Sequence, residues 1–194
     1  MWATRSGTRW RLAAALALLA GLVLAPSAVV AQGEGNRARL EGAFLVNFVR
    51  FTQWPPDRLA TPDAPYVVTV VGSQPVSGAI REVAHAAGLV HGRRIRIRRI
   101  DGVSSGAQRE TLQGSHVVFL HRSSGASGRD LVDALQGAPV LTVGDSEGFL
   151  DAGGMLGLVA AGPRMTFVAN PGAIEDAGLD VSAKVLKLAQ EARP

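Results

Sequence analysis

The sequence predicts an α/β fold: a single domain with a mixed, mainly parallel sheet flanked by helices and an antiparallel C-terminal hairpin. Three observations predict it. The runs YVVTVVG (66–72), HVVFL (116–120) and PVLTVG (139–144) are short, apolar and rich in β-branched residues, as strands buried on both faces are. Helical stretches alternate with them, the order expected of parallel strands joined by crossovers. Two later runs, MLGLVAA and RMTFVAN, are separated only by Gly162 and Pro163, which suits an antiparallel pair.

The elements follow in chain order. Residues 1–31 have the three-part layout of a secretory signal peptide. Arg5, Arg9 and Arg11 form a basic front and 12–24 are apolar. That run is shorter than the ~20 residues of a comfortable membrane span. Val29-Val30-Ala31 then offers a cleavage site. Residues 32–37 read as a loose, disordered leader, and the domain as 38–192. A helix is expected over 38–53, because Leu40, Phe44, Phe48 and Phe51 recur at helical spacing and Pro55-Pro56 stops it. After a Pro/Asp linker (55–65) and the first strand, a helix fits 76–87 and ends at Gly88. In GRRIRIRRI (92–100) isoleucines alternate with arginines, which argues a strand with one wet face. A turn (101–106), a short helix (107–113), the strand HVVFL, a loop, a helix (129–136) and the strand PVLTVG come next. A glycine-rich loop leads into the hairpin, followed by a helical turn at 171–177. The last element is an amphipathic helix over 182–192 with Val185, Leu188, Ala189 and Ala192 on one face.

Composition bounds the chemistry. Removing 1–31 takes three of the 20 basic residues and none of the 16 acidic ones, leaving 17 against 16. The remaining chain is close to neutral and gives no reason to expect a nucleic-acid partner. With no cysteine, thiol catalysis, thiolate metal sites and disulfide bracing are excluded. Nothing after the signal is apolar for long enough to span a bilayer.

Individual motifs carry little catalytic signal. VGDSEG places Gly-Asp-Ser after a strand, as some serine hydrolases do, but no histidine follows His121 and no motif supplies a base for Ser146. His116 and His121 bracket a strand five residues apart, and an odd separation sends side chains to opposite faces. Asp145, Glu147 and Asp151 are too sparse for a calcium loop, so no metal site is read. GSQPVSG opens a helix after a strand but lacks the lysine of a phosphate loop. The five arginines of RRIRIRR could meet an anionic surface, or simply discourage edge-to-edge aggregation.

Four landmarks in order resemble one family. AFLVNFVRFTQWP (43–55), GSHVVFLHRS (114–123), LTVGDSEGFLDAGGMLGLV (141–159) and RMTFVANPGAIEDAGLDVSAKVLKLA (164–189) are similar to the YfiR/HmsC family of periplasmic proteins. The resemblance implies a non-enzymatic periplasmic regulator without a cofactor. It would bind the periplasmic sensor part of an inner-membrane diguanylate cyclase, hold it inactive and so restrain cyclic di-GMP signalling and biofilm formation. It further implies a homodimer and an outer-membrane lipoprotein partner that can sequester it. Family members often carry cysteines, one of them where Ser115 stands here, so redox control is not available to this chain.

The candidate contact residues are of two kinds. Asp145, Glu147, Phe149 and Asp151 lie in the glycine-rich loop, its acids expected to face solvent and Phe149 to tuck into the core edge. Phe44, Phe48, Phe51 and Trp54 form the aromatic helix stripe, which reads either as core or as a docking face. A small-molecule sensor with a pocket among Gln74, Asp145 and Asn170 is the alternative, and a secreted serine hydrolase using Ser146 a further one.

Overall fold

The computed structural model describes residues 26–59, 61–162 and 164–189. Most of the expected signal segment (1–25) and the end of the expected closing helix (190–192) lie outside them. The chain divides after Asn36 into two units, and the sheet with the helical segments packed on it belongs to the second.

Helix α1 spans Pro26–Phe51, so residues 32–37, expected as a loose leader, are helical. No proline interrupts that stretch, and its glycines weaken a helix without breaking it. The helix ends where Thr52 Oγ1 donates to Phe48 O (2.7 Å) and Ser182 N–H donates to Phe51 O (2.9 Å), satisfying terminal carbonyls. Strand β1 (Thr52–Gln53) pairs antiparallel with β9 (Asp180–Val181), a two-stranded sheet too short to read from periodicity. A 3₁₀ turn, Pro56–Leu59, follows.

The main sheet contains β2 (Tyr66–Val71), β3 (Leu89–Val90), β4 (Arg93–Ile100), β5 (Val117–Leu120), β6 (Leu141–Gly144), β7 (Leu156–Ala161) and β8 (Arg164–Ala169). Their spatial order is β3-β4-β2-β5-β6-β7-β8. Strands β4, β2, β5, β6 and β7 are parallel neighbours, and β7–β8 is the antiparallel hairpin the sequence predicts. The helices are α2 (Gln74–Ala86), α3 (Gly106–Gln113), α4 (Gly128–Ala134), α5 (Pro171–Asp176) and α6 (Ala183–Leu186). The closing helix is thus shorter than predicted. Val185 is buried but Leu188 is 73% exposed, so the expected apolar face is not used as a whole.

Alternating side chains of the central strands feed two cores. Val68, Val70, Val117, Phe119, Leu141 and Val143 meet α1 and α2 on one face. Val71, Val118, Leu120 and Val140 meet Leu112 of α3, Leu131 and Ala134 of α4, and Phe149 on the other. Close approach of α1 to α2 depends on Gly42, where an added Cβ would lie 3.1 Å from Val83 Cβ and 3.2 Å from Ile80 Cα. Strand β4 keeps its wet face: Arg94, Arg96 and Arg98 are exposed while Ile95 and Ile97 pack inward. Among the described residues no helix is long and apolar enough to cross a membrane.

Candidate functional site

The buried face of α1 differs from the stripe the aromatic residues suggest. Leu40 and Phe51 are 41% and 38% exposed, whereas Ala38, Glu41, Leu45, Phe48 and Val49 point inward. Glu41 is the surprise, a carboxyl with no exposed side-chain surface. It sits four and seven residues before Leu45 and Phe48, so helical spacing places it on the core face. A charged residue at such a position was the available signal, and a search for apolar residues passes over it.

Glu41 meets two residues that follow adjacent parallel strands, His121 after β5 and Asp145 after β6. Arg37, one turn before Glu41, joins the carboxyls: its Nε donates to Glu41 Oε1 (3.0 Å) and its Nη2 to Asp145 Oδ2 (3.2 Å). Asp145 Oδ1 accepts the backbone N–H of Arg122 (2.6 Å). His121 Nε2 lies 3.9 Å from Glu41 Oε2 and 3.8 Å from Asp145 Oδ2, and its Nδ1 lies 2.7 Å from Ser123 Oγ. Glu41 Oε2 is buried with no hydrogen-bond partner. Burial, with the nearby Asp145 charge, raises the Glu41 carboxyl from 4.5 to about 7, against the pull of Arg37. Asp145 is therefore not a solvent-facing acid. The strand end delivers it beneath Arg37, where a charged hydrogen-bond partner compensates its desolvation.

The remainder of the loop behaves otherwise. Glu147 and Asp151 are exposed. Phe149 is 2% exposed and turns inward among Leu131, Leu135 and Val140. Its ring lies against Gly144 and Gly154, where an added Cβ would fall 2.5 and 2.3 Å from ring carbons. Gly148 and Gly153 adopt positive φ (72° and 97°), the conformation glycine permits most readily. Met155 N–H donates to Thr142 Oγ1 (3.1 Å) and Met155 O accepts from Asn170 N–H (2.8 Å), pinning the loop to β6 and the hairpin. Glycines and methionine are thus the hardware of a helix-free link between two parallel strands, and Glu147 and Asp151 its solvent-facing decoration.

The other predicted residues separate. Phe44 and Phe48 meet the ring of Phe167 of β8 edge-to-face at centroid distances of 6.0 and 5.2 Å. Trp54 is buried, with its Nε1 donating to His116 O (3.1 Å) and its ring edge-on to His116. His116 Nδ1 accepts Val67 N–H (3.0 Å) and Nε2 stands 3.2 Å from Arg58 O, an arrangement that requires the neutral imidazole with its proton on Nε2. Burial lowers its pKa from 6.5 to about 4. Asn170 caps α5 by accepting Ala173 N–H (3.2 Å) and lines a cavity of about 620 Å³ with Thr142, Met155 and Asp176. Gln74 and Asp145 do not line that cavity. Ser146 stands beside the carboxylate cluster, but His121, the nearest histidine in sequence, presents Nε2 to Glu41 and Asp145 and Nδ1 to Ser123.

Comparison with known proteins adds a family. A family profile described as YfiR/HmsC-like matches residues 38–190. No curated protein matches the chain. Among solved structures, a conserved domain protein from Vibrio cholerae O1 biovar El Tor is similar at a TM-score of 0.50 and 14% identity. That similarity covers 71% of this chain and 57% of the other. A Streptococcus pneumoniae ABC domain in complex with L-Trp is similar at a TM-score of 0.50 and 13% identity, covering 69% and 58%. At such identities these likenesses show the fold alone, and this chain spans under three-fifths of each solved chain.

Proposed function

The chain belongs to the YfiR/HmsC-like family, which suggests a periplasmic regulator, and from that membership we propose the finer reading. The protein is exported, loses residues 1–31, and acts without catalysis. It binds the periplasmic sensor part of an inner-membrane diguanylate cyclase and holds it in its inactive state, restraining cyclic di-GMP signalling and biofilm formation. The observation that carries this is the family match over 38–190, which takes in the aromatic helix, the glycine-rich loop and the hairpin.

Inhibition by binding needs only higher affinity for the inactive cyclase than for the active one. The surface we assign to it is the exposed part of the loop, Glu147 and Asp151, beside a groove floored by Leu150, Leu158 and Val159. Val159 is 41% exposed, so the patch combines charge with apolar area. Phe51, at the end of α1, is the aromatic of the helix stripe that remains accessible. Homodimerisation and sequestration by an outer-membrane lipoprotein belong to the same reading.

The test is capture from solubilised inner membranes, followed by mass spectrometry. Recovery of a protein carrying a diguanylate cyclase domain, weakened at least tenfold by Glu147→Lys with Asp151→Lys, supports both partner and surface. Recovery indifferent to those charges moves the contact towards Phe51. Absence of any cyclase, with cellular cyclic di-GMP unchanged on deletion of the gene, refutes the regulator.

A second reading rests on the cavity beside Asn170. Its volume, about 620 Å³, and its mixed lining of Thr142, Met155, Asn170 and Asp176 suit a small polar ligand. A melting-temperature rise with one class in a metabolite panel, abolished by Asp176→Ala, would favour a sensor.

A further inference from the structure

The cluster of Glu41, His121 and Asp145 does more than hold α1 to the sheet. Strand β2 lies between β4 and β5, and the chain runs from β2 to the β3–β4 side before crossing back to β5 on the other, so the C-terminal ends of β2 and β5 form a topological switch point, the place where open α/β sheets take ligands. His121 stands there against Gly72, whose added Cβ would lie 3.1 Å from His121 Cβ. Asp145 follows the next parallel strand, and α1 lays Glu41 over both.

We propose that Glu41 Oε2, His121 Nε2 and Asp145 Oδ2 bind a divalent transition cation, zinc being the ion that this donor set suits. The three ligand atoms lie within 4.8 Å of one another, two of the separations being 3.8 and 3.9 Å. Ligands bound tetrahedrally at about 2.0–2.2 Å stand about 3.3–3.6 Å apart, so closing on an ion takes movements of a few tenths of an ångström. Glu41 Oε2 is the independent sign: a buried carboxylate oxygen with no hydrogen-bond partner, turned towards the His121 ring. One imidazole with two carboxylates matches zinc, whereas magnesium and calcium prefer oxygen alone. Ser123 flanks Nδ1, its backbone N–H donating to that nitrogen (3.2 Å) and its Oγ standing 2.7 Å away; ligation through Nε2 puts the ring proton on Nδ1, with Ser123 Oγ as its hydrogen-bond acceptor.

Charge balance fits as well. Two carboxylates neutralise one divalent ion, and the cation now doing that work is Arg37. Its side chain is 21% exposed, which gives the guanidinium a route to solvent when the ion enters. Arg122, with its Nη1 3.8 Å from Asp145 Oδ2, is 41% exposed and can withdraw likewise.

The experiment uses the purified protein stripped with chelator and titrated with Zn²⁺, followed by long-range ¹H–¹⁵N NMR of the histidine rings. The expected result is one ion per chain and a shift confined to the His121 ring nitrogens. At a hundredfold excess over Kd the melting temperature should rise by about 5–10 °C. Glu41→Gln and Asp145→Asn, which preserve volume, should each weaken binding at least tenfold. Ring shifts at His85 or His91 instead, affinity unchanged in the variants, or no saturable binding would overturn the site. Should a variant unfold, the wild-type NMR shift decides alone.

Discussion

Phe149 lies between Gly144 and Gly154, and replacing Gly154 with alanine tests what that arrangement does. The new Cβ would stand 2.3 Å from Phe149 Cε1, 2.5 Å from Cδ1 and 2.7 Å from Cζ, where carbon atoms in contact keep about 3.5–4.0 Å. Retreat is closed, since Cβ atoms built on Gly144 and Gly128 would also fall 2.5 and 3.2 Å from the ring. Neither Gly144 nor Gly154 has positive φ, so the cost is steric rather than conformational. If the ring stays, overpacking costs about 1–3 kcal/mol. If it is expelled, the loss approaches the ~3–5 kcal/mol of Phe→Ala in a core. Alanine restricts the unfolded chain and returns only about 0.4–1 kcal/mol. We expect Gly154→Ala to destabilise by about 2–4 kcal/mol in equilibrium urea unfolding followed by circular dichroism. In a Phe149→Ala background the same change should cost under about 1 kcal/mol, a strong coupling. A loss below about 0.5 kcal/mol in the wild type, or additivity in the cycle, would refute the reasoning.

Further predictions follow from other contacts. His116 is held neutral with a pKa lowered to about 4, whereas its unfolded value is 6.5. The unfolded chain therefore takes up a proton first as pH falls, and stability present above 6.5 is lost progressively down to about 4, by at most ~3 kcal/mol. Urea midpoints at pH 7 and 5 should show this slope, and His116→Gln should flatten it. Ser115 Oγ donates to Thr111 O (2.8 Å) and meets Thr69 Oγ1 at 2.7 Å in the core. Ser115→Ala should cost about 1–3 kcal/mol by stranding the Thr69 hydroxyl, and adding Thr69→Val should recover part of that midpoint shift. Arg37→Ala leaves two buried carboxyls facing each other and should destabilise by about 3 kcal/mol at pH 7. Without the pull of Arg37 the Glu41 carboxyl moves further up and is already protonated at pH 7, so in the same unfolding assay the deficit should widen as pH rises above 7 and change little between 7 and 5.

The sheet was legible because its strands are buried on both faces and so spell continuous β-branched runs, and because Ile95 and Ile97 alternate with arginines where one face is wet. Helix α1 was legible in type but not in orientation. Four aromatics drew attention to one stripe, while Glu41 and Gly42, which carry no apolar signal, occupy part of the true inner face. The carboxylate cluster could not be read at all: Glu41, His121 and Asp145 are far apart in sequence, and sequence spacing does not encode contacts made across a crossover. Asp145 looked like its loop neighbours Glu147 and Asp151, and the strand end alone separates them. Two-residue strands such as β1 and β9 are too short for any period to register.

Trp54, edge-on to His116 and tilted over Tyr66 with ring centroids 5.5 Å away in each case, has an optical consequence. Trp2 and Trp10 both precede Ala31, so a chain shortened there carries a single indole, shielded from water and coupled to one titrating imidazole. Its emission would report, without any label, whether the seam between the first helix and the sheet is closed.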